Sequence, residues 1–221
     1  MLSTRDLSLL PDIESLNRRM QQLAALEAAF ALDFGTHAFY PKWTKTTQVG
    51  AVKDGGGDEL FAHFTPAGCF LKGFAHESEM SPYKAKPHSL WPGLLAGVPT
   101  AFQSSLDVPA FDIPNTTFAI WRLTTDTTWH TDKIEYSNHY YGDGSADLLP
   151  PLIVTADEFA EWLQENFELD DPVDAEIVAE VFRHSPLTDD QLRVLNPTAA
   201  LRDVRKAVEE TGYPLAERKL R

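Results

Sequence analysis

The run of residues best suited to chemistry in this sequence is His76-Glu77-Ser78-Glu79, and a second histidine, His63, precedes it. Two histidines with a carboxylate are ligand types that bind divalent metal ions, and a histidine beside a carboxylate can act as a general base. One hypothesis is therefore a metal-dependent hydrolase that uses His63, His76 and Glu77. The interpretation that we favour is structural: His76 closes a turn through a hydrogen bond to Asp58 or Glu77, and His63 is half-buried.

A second polar cluster, further along the chain, mixes histidines and aspartates with aromatic residues. Its members are His130, His139, Asp126, Asp132, Asp143, Trp121, Trp129, Tyr136, Tyr140 and Tyr141. Aromatic rings beside carboxylates suit a cationic ligand or a protein partner. Trp121 and Trp129 are therefore candidate binding residues, and the alternative is a sheet packed with aromatic side chains.

The charge of the chain is strongly negative, with 33 acidic and 19 basic residues and a formal net charge of -14. Such a surface repels nucleic acid and anionic membranes and favours a basic partner. The charge is concentrated between Asp143 and Asp190, where Arg183 is the one basic residue against fourteen acidic ones. The alternative is a solvated surface with acids at helix N-termini. The candidate binding residues in this segment are Asp157, Glu158, Glu161 and Glu165.

Several catalytic motifs are absent from the sequence. It contains no G-x-x-x-x-G-K-[ST], no G-x-S-x-G and no H-E-x-x-H, and the glycines at 55–57 lead into a predicted strand rather than a helix. Cys69 is the single cysteine, so no disulfide can form within this chain, and we place it in a hairpin turn with no nearby base. We predict no cofactor. The first residues show no apolar run or cleavage site, so a cytoplasmic location is expected.

The elements that must position these residues begin with a hairpin between Val49 and Ser78. The pattern predicts strands at Glu59–Phe64 and Phe70–Ala75, joined by a Pro-Gly turn. If Phe64 pairs with Phe70, Asp58 stands opposite His76, and a slip by one residue puts Glu59 there instead. In either register a carboxylate lies near His76.

An amphipathic helix is predicted over residues 11–31, followed by an irregular aromatic segment at 33–48. The predicted apolar face comprises Ile13, Leu16, Met20, Leu23 and Phe30, and the predicted polar face comprises Arg18, Arg19, Gln21, Gln22 and Glu27. Many prolines between 79 and 115 argue against long regular elements there. Residues 116–123 predict a strand, with a partner at 127–136.

From Thr155 onward the pattern is helical. Capping boxes are predicted at Thr155 with Glu158 and at Thr188 with Gln191, and further helices are predicted to start at Asp171-Pro172 and Asn196-Pro197. A capping box is a Ser or Thr whose side chain exchanges hydrogen bonds with a Glu or Gln three residues later. A β-rich part followed by helices indicates an α+β fold. We expect one domain, 1–221, with an N-terminal helix and an antiparallel sheet of hairpins in 1–150 and a helical segment, 151–221, packed on the same body.

Two sets of motifs in the sequence resemble those of known protein families. The stretch GGGDELFAHFTPAGCFLKGFAHES resembles the central hairpin of SMI1/KNR4-type (SUKH) proteins. The wider pattern of GFAHESEMSPY, LWPGLLAGVP, TFAIWR, DGS, PLT, LNP and TGYP is similar to a family of uncharacterised bacterial proteins, which implies no activity. The SUKH resemblance implies a cytoplasmic toxin-neutralising or scaffold role that depends on binding rather than catalysis.

The hypothesis that we favour from the sequence is a cytoplasmic binding protein, an immunity protein that covers a basic toxin domain. Its candidate surfaces are the acidic segment and the hairpin end at Asp58, His76 and Glu77. The metal-dependent hydrolase and a regulatory scaffold remain open as alternatives.

Overall fold

The computed structural model describes residues 1–32, 35–135 and 142–217, which form an antiparallel sheet with the N-terminal and C-terminal helices on one face. The elements are α1 (Ile13–Ala31), β1 (His37–Tyr40), β2 (Gln48–Lys53), β3 (Glu59–Thr65), β4 (Gly68–Phe74), α2 (Gln103–Leu106), β5 (Phe118–Leu123), β6 (His130–Thr131), α3 (Ser145–Leu148), α4 (Ala156–Asn166), α5 (Ala175–Phe182), α6 (Asp189–Leu195) and α7 (Leu201–Glu210). The strand order is β1-β2-β3-β4-β5-β6. The α+β prediction, with an N-terminal helix and packed C-terminal helices, is confirmed.

The N-terminal helix α1 starts at Ile13, two residues after the predicted start, because the Asp12 side chain accepts the backbone N–H of Ser15 and caps it. Its apolar stripe is buried as expected, but Gln22 and Glu27 are buried too, at 4% and 0% exposure. The prediction that these two side chains face solvent was wrong. Since α1 is covered by the sheet and also by the C-terminal helices, the buried part of its surface is wider than one stripe.

The sheet is covered on both faces. The helical face carries the main core, with Phe39, Leu60, Ala62, Leu71 and Ile120 from the strands packed against α1 and the C-terminal helices. The opposite face is covered by a segment with only short helices in the described residues, as the prolines predict. That segment contributes Phe102 and Phe111, which pack on Phe61, Phe70 and Trp121. Each buried aromatic ring contributes about 1.5–3 kcal/mol to folding.

The register of the β3–β4 hairpin differs from both predicted registers. Phe64 pairs with Cys69, and Glu59 pairs with Phe74. The reason is a tight turn: Thr65 pairs with Gly68, whose φ of +147° suits glycine, so the second strand begins earlier than predicted. Cys69 is therefore in a strand and not in the turn, facing the main core, where burial raises the pKa of its thiol well above the usual range.

One strand of the sheet was not predicted, and another is shorter than predicted. The segment 33–48 contains β1, a four-residue strand that pairs with β2 and was predicted to be irregular, while Phe34 lies outside the described residues. The predicted strand at 127–136 shortens to β6, His130–Thr131, and Tyr136 lies outside the described residues.

Both predicted capping boxes are confirmed, at Thr155 with Glu158 and at Thr188 with Gln191. The two starts at Asx-Pro pairs were wrong. The helix α5 begins at Ala175, because Asp174 accepts the backbone N–H of Glu176 and caps it. Asn196 instead ends α6, and its side-chain amide donates to the carbonyls of Ala29 and Phe30 in α1. The Asn196 Oδ1 atom accepts the backbone N–H of Ala199 at 3.0 Å, but the next helix, α7, begins only at Leu201, with Ala200 at its N-cap position. In the part of the chain that is described, no helix is long and apolar enough to cross a bilayer.

Candidate functional site

The hairpin end keeps a carboxylate beside His76, as predicted. The Asp58 Oδ1 atom accepts the backbone N–H of His76 at 2.6 Å, and His76 Nδ1 lies 3.0 Å from Glu77 Oε1 on the surface. Burial raises the pKa of Asp58, and the nearby negative charges of Asp54 and Asp147 act in the same direction. The contact through the backbone closes the turn, which supports the structural interpretation of His76.

The structure does not bring together the three residues of the metal hypothesis. His63 lies on the sheet face opposite α1, where its Nδ1 is 2.9 Å from the hydroxyl of Ser105. His63 pairs with Phe70 on the neighbouring strand. At the rise per residue of a β-strand, His76 lies about 20 Å further along the chain than Phe70. Burial also lowers the pKa of His63. Within 1–32, 35–135 and 142–217 no three His, Cys, Asp or Glu residues are grouped to hold a metal ion.

The two candidate tryptophans are buried and lie on different faces of the sheet. Trp121 is 6% exposed and packs with Phe70 and Phe102. Trp129 is 7% exposed, belongs to the main core, and donates its indole N–H to the carbonyl of Pro11 at 2.7 Å. Neither ring contributes to an exposed binding surface.

The polar members of the same cluster hold loops in place. The carboxylate of Asp132 accepts the backbone N–H groups of Leu95 and Gly97, and that of Asp143 accepts the backbone N–H and hydroxyl of Ser145. His130 is exposed and lies 3.4 Å from Asp126. Four further members lie outside the described residues, namely Tyr136, His139, Tyr140 and Tyr141.

The candidate acids of α4 form an exposed surface, which we call the acidic face and define as Asp157, Glu158, Glu161 and Glu165. Three of them, Asp157, Glu161 and Glu165, are spaced by four residues and so lie in one row along the helix. No cation of the described chain forms an ion pair with that row. Glu158 accepts from the backbone N–H and hydroxyl of Thr155, and these hydrogen bonds lower its pKa. More exposed acids follow α4, at Glu168, Asp170, Asp171 and Asp174.

Glu27 of α1 and His37 of β1 form a buried pair beneath α4 that was not predicted from the sequence. The Glu27 Oε2 atom lies 2.8 Å from both the Nδ1 and the backbone nitrogen of His37, and Oε1 accepts the backbone N–H of Thr36. The two side chains are 1% and 4% exposed. Gly35 permits this contact, because a Cβ atom there would lie 1.8 Å from Glu27 Oε1.

The free edge of the His37 ring faces aromatic side chains of α4. Its ring centroid lies 5.0 Å from that of Trp162 and 5.5 Å from that of Phe159, nearly perpendicular to both. Trp162 and Phe159 are stacked on each other at 5.2 Å. The Nε2 atom of His37 is buried and has no hydrogen-bond partner in the described residues.

These residues line a cleft of about 560 Å³, which we call the α4 cleft. Its polar and aromatic lining includes His37, Asp54, Asp147, Glu158, Phe159 and Trp162. The apolar part of the lining comes from Leu148, Pro150 and Pro151 around α3. The cleft therefore lies between β1, the β2–β3 turn and α4, directly beside the acidic face.

A signal for the buried pair was present in the sequence, but it is weak. Glu27 falls in the row of alanines and leucines at 23–29, where a charged residue needs a buried partner. Identifying His37 as that partner needs the tertiary structure, because β1 was not predicted.

Comparison with family models, curated proteins and solved structures finds no match for this chain.

Proposed function

We propose that the chain is a binding protein that attaches to a basic protein through the acidic face of α4 and the acids that follow it. The observation that carries this proposal is the row of Asp157, Glu161 and Glu165, which is exposed and without an ion-pair partner among the described residues. Like charges four residues apart destabilise a helix slightly. A cationic partner relieves that repulsion.

The charges around the row favour the same partner. The segment between Asp143 and Asp190 has fourteen acidic residues. The one basic residue of that segment, Arg183, already forms an ion pair with Glu176 at 2.7 Å. On α7, by contrast, Asp203 and Glu210 are within ion-pair distance of Arg202 and Lys206. A field of one sign over α4 speeds the association of an oppositely charged protein.

The resemblance of the central hairpin to SMI1/KNR4-type (SUKH) proteins supports a narrower form of the proposal. In that form the basic partner is a toxin domain and the chain is the immunity protein that covers it in the cytoplasm.

The test is a comparative capture from native extract with the immobilised protein and two double variants. Glu161→Lys with Glu165→Lys reverses two charges of the acidic face, and Asp203→Lys with Glu210→Lys makes the same change in net charge on α7. We expect a basic protein to be captured by the native chain and by the α7 variant but not by the α4 variant. Its affinity should fall as salt rises, because exposed charges are screened.

Two results would contradict the proposal. One is capture that both double variants weaken equally, which would indicate a response to net charge alone. The other is a captured partner whose affinity does not change with ionic strength. A partner that is a nuclease or another toxic enzyme would support the immunity form over a general scaffold.

A further inference from the structure

The charged and aromatic positions of the α4 cleft are carboxylates and rings, and its remaining polar side chains are the neutral Thr36 and Asn166 and the imidazole of His37. Asp54, Asp147 and Glu158 supply carboxylates, and Phe159 and Trp162 supply aromatic rings. The described residues that line it include no lysine and no arginine. Rings and carboxylates together are the usual surroundings of a bound organic cation.

His37 lines this cleft and carries a buried ring nitrogen, Nε2, that has no hydrogen-bond partner in the described residues. Glu27 accepts two backbone N–H groups, so we assign Nδ1 as the donor in its hydrogen bond with the Glu27 carboxylate. In a neutral imidazole this assignment leaves the lone pair on Nε2. Nε2 is buried and unpartnered in the described structure, which is uncommon for a polar atom in a folded protein.

The size of the cleft fits a small ligand. Its volume of about 560 Å³ lies within the range of small-molecule sites. Leu148, Pro150 and Pro151 give it an apolar wall on the side of α3. A suitable ligand therefore combines a cationic head that donates hydrogen bonds with a short apolar stem.

We propose that the α4 cleft binds an organic cation with N–H donors, a guanidinium or primary ammonium group on an apolar stem. The head lies against Trp162 between the carboxylates of Asp147 and Glu158, and one N–H donates to Nε2 of His37. This goes beyond the proposed function, because such a ligand can be free in solution and needs no basic protein.

The test is a calorimetric titration with agmatine, which carries a guanidinium and a primary ammonium at the two ends of a four-carbon stem, against N-butylurea, the neutral isostere of its guanidinium end. Loss of a charge-assisted hydrogen bond weakens binding about tenfold or more, so agmatine should bind at least that much more tightly. Tetramethylammonium, which has no N–H donor, should also bind more weakly. Equal binding of agmatine and the neutral isostere would overturn the proposal, and so would a failure of both agmatine and the arginine peptide described below to bind.

Variants locate the binding. Trp162→Leu and Asp147→Asn should each weaken agmatine binding several-fold, and the matched controls Trp43→Leu, on the other face of the sheet, and Asp203→Asn, on α7, should leave it unchanged. The charge-reversed α4 variant, Glu161→Lys with Glu165→Lys, should still bind agmatine, so this proposal and the proposed function can fail separately. Equal losses in the cleft variants and their controls would indicate general charge attraction and overturn the site.

A second experiment distinguishes two sources of the cation, namely a side chain of a partner protein and a free small molecule. Acetyl-Gly-Arg-Gly-amide is compared with its citrulline counterpart, since citrulline has the shape of arginine without the charge. Tight binding of the arginine peptide but not of agmatine supports a side chain of a partner as the natural occupant. Tight binding of agmatine alone supports a free small molecule. Binding of the citrulline peptide as tight as that of the arginine peptide contradicts a cation site.

Discussion

His37 and His63 are two buried histidines on opposite faces of the same sheet, and their surroundings differ. Both are about 95% buried, both have Nδ1 within hydrogen-bond distance of a side chain, and neither has a partner for Nε2 among the described residues. For His37 the partner is the carboxylate of Glu27, and for His63 it is the hydroxyl of Ser105. His37 also lines a cleft, whereas Phe111 lies edge-on to the ring of His63 in the apolar layer beneath it.

The difference shows what separates a candidate site from a satisfied core residue. Burial of the ring and a bonded Nδ1 are common to both histidines, so neither feature indicates function. What distinguishes His37 is a charged partner that fixes its tautomer together with an open volume that acids and aromatic rings line. The alternative hydrolase hypothesis from the sequence placed a metal ligand at His63, whereas the ligand site that we propose from the structure includes His37.

The largest expected effect comes from removing the charged partner. We expect Glu27→Ala to lower the free energy of unfolding by about 3–5 kcal/mol, because three buried N–H donors lose their acceptor. Ser105→Ala should cost about 1 kcal/mol, since it removes one neutral hydrogen bond beside His63. Urea denaturation measures both, with exposed Glu161→Ala as the control within about 0.5 kcal/mol of native. Similar costs for Glu27→Ala and Ser105→Ala would remove the contrast between the two histidines.

A smaller effect tests the close contact between the backbone at Gly35 and the carboxylate of Glu27. We expect Gly35→Ala to cost about 1–3 kcal/mol, because the new methyl group would displace the Glu27 carboxylate from Thr36 and His37. The control is Gly55→Ala, where no atom lies within 4 Å of the new methyl but φ is +77°. That control should cost about 1 kcal/mol from backbone strain alone. If Gly35→Ala cost no more than Gly55→Ala, the close contact with Glu27 would carry no energy.

The smallest effect is a dependence of stability on pH at His63. Burial lowers the pKa of His63 in the folded state below its usual 6.5, so the unfolded chain binds more protons between the two values. Stability should therefore fall as the pH drops through 6.5 and level off below the folded-state pKa. His63→Gln should reduce this loss, measured as the free energy of unfolding between pH 7.5 and 5. His184, whose pKa burial also lowers, contributes equally to both proteins. An unchanged pH profile in the variant would show that His63 is not the source.

Much of the fold could be predicted from local sequence signals. The cap at Asp12, the capping boxes at Thr155 and Thr188 and the hairpin turn before Gly68 depend on neighbouring residues, so short patterns find them. The register of the β3–β4 hairpin could not be fixed, because a shift of one residue satisfies nearly the same apolar pattern. The position of Glu27 was missed for a different reason: helical spacing shows one buried stripe, and here α1 is buried by two layers.

The candidate site was harder to predict than the fold. The acidic face of α4 follows from sequence alone, because Asp157, Glu161 and Glu165 recur at helical spacing outside the apolar stripe. The α4 cleft does not, since its lining comes from β1, the β2–β3 turn, α3 and α4, which are distant in sequence.

The most direct test of the contrast between the histidines is a long-range ¹H–¹⁵N correlation spectrum of the ring nitrogens during titration with agmatine. The signals are assigned with His63→Gln and with the other single histidine variants. We expect the Nε2 signal of His37 to shift and to saturate together with the calorimetric binding curve, while that of His63 stays in place. Agmatine binding that leaves the His37 Nε2 signal unmoved, or that shifts both histidines equally, would contradict a ligand site at His37.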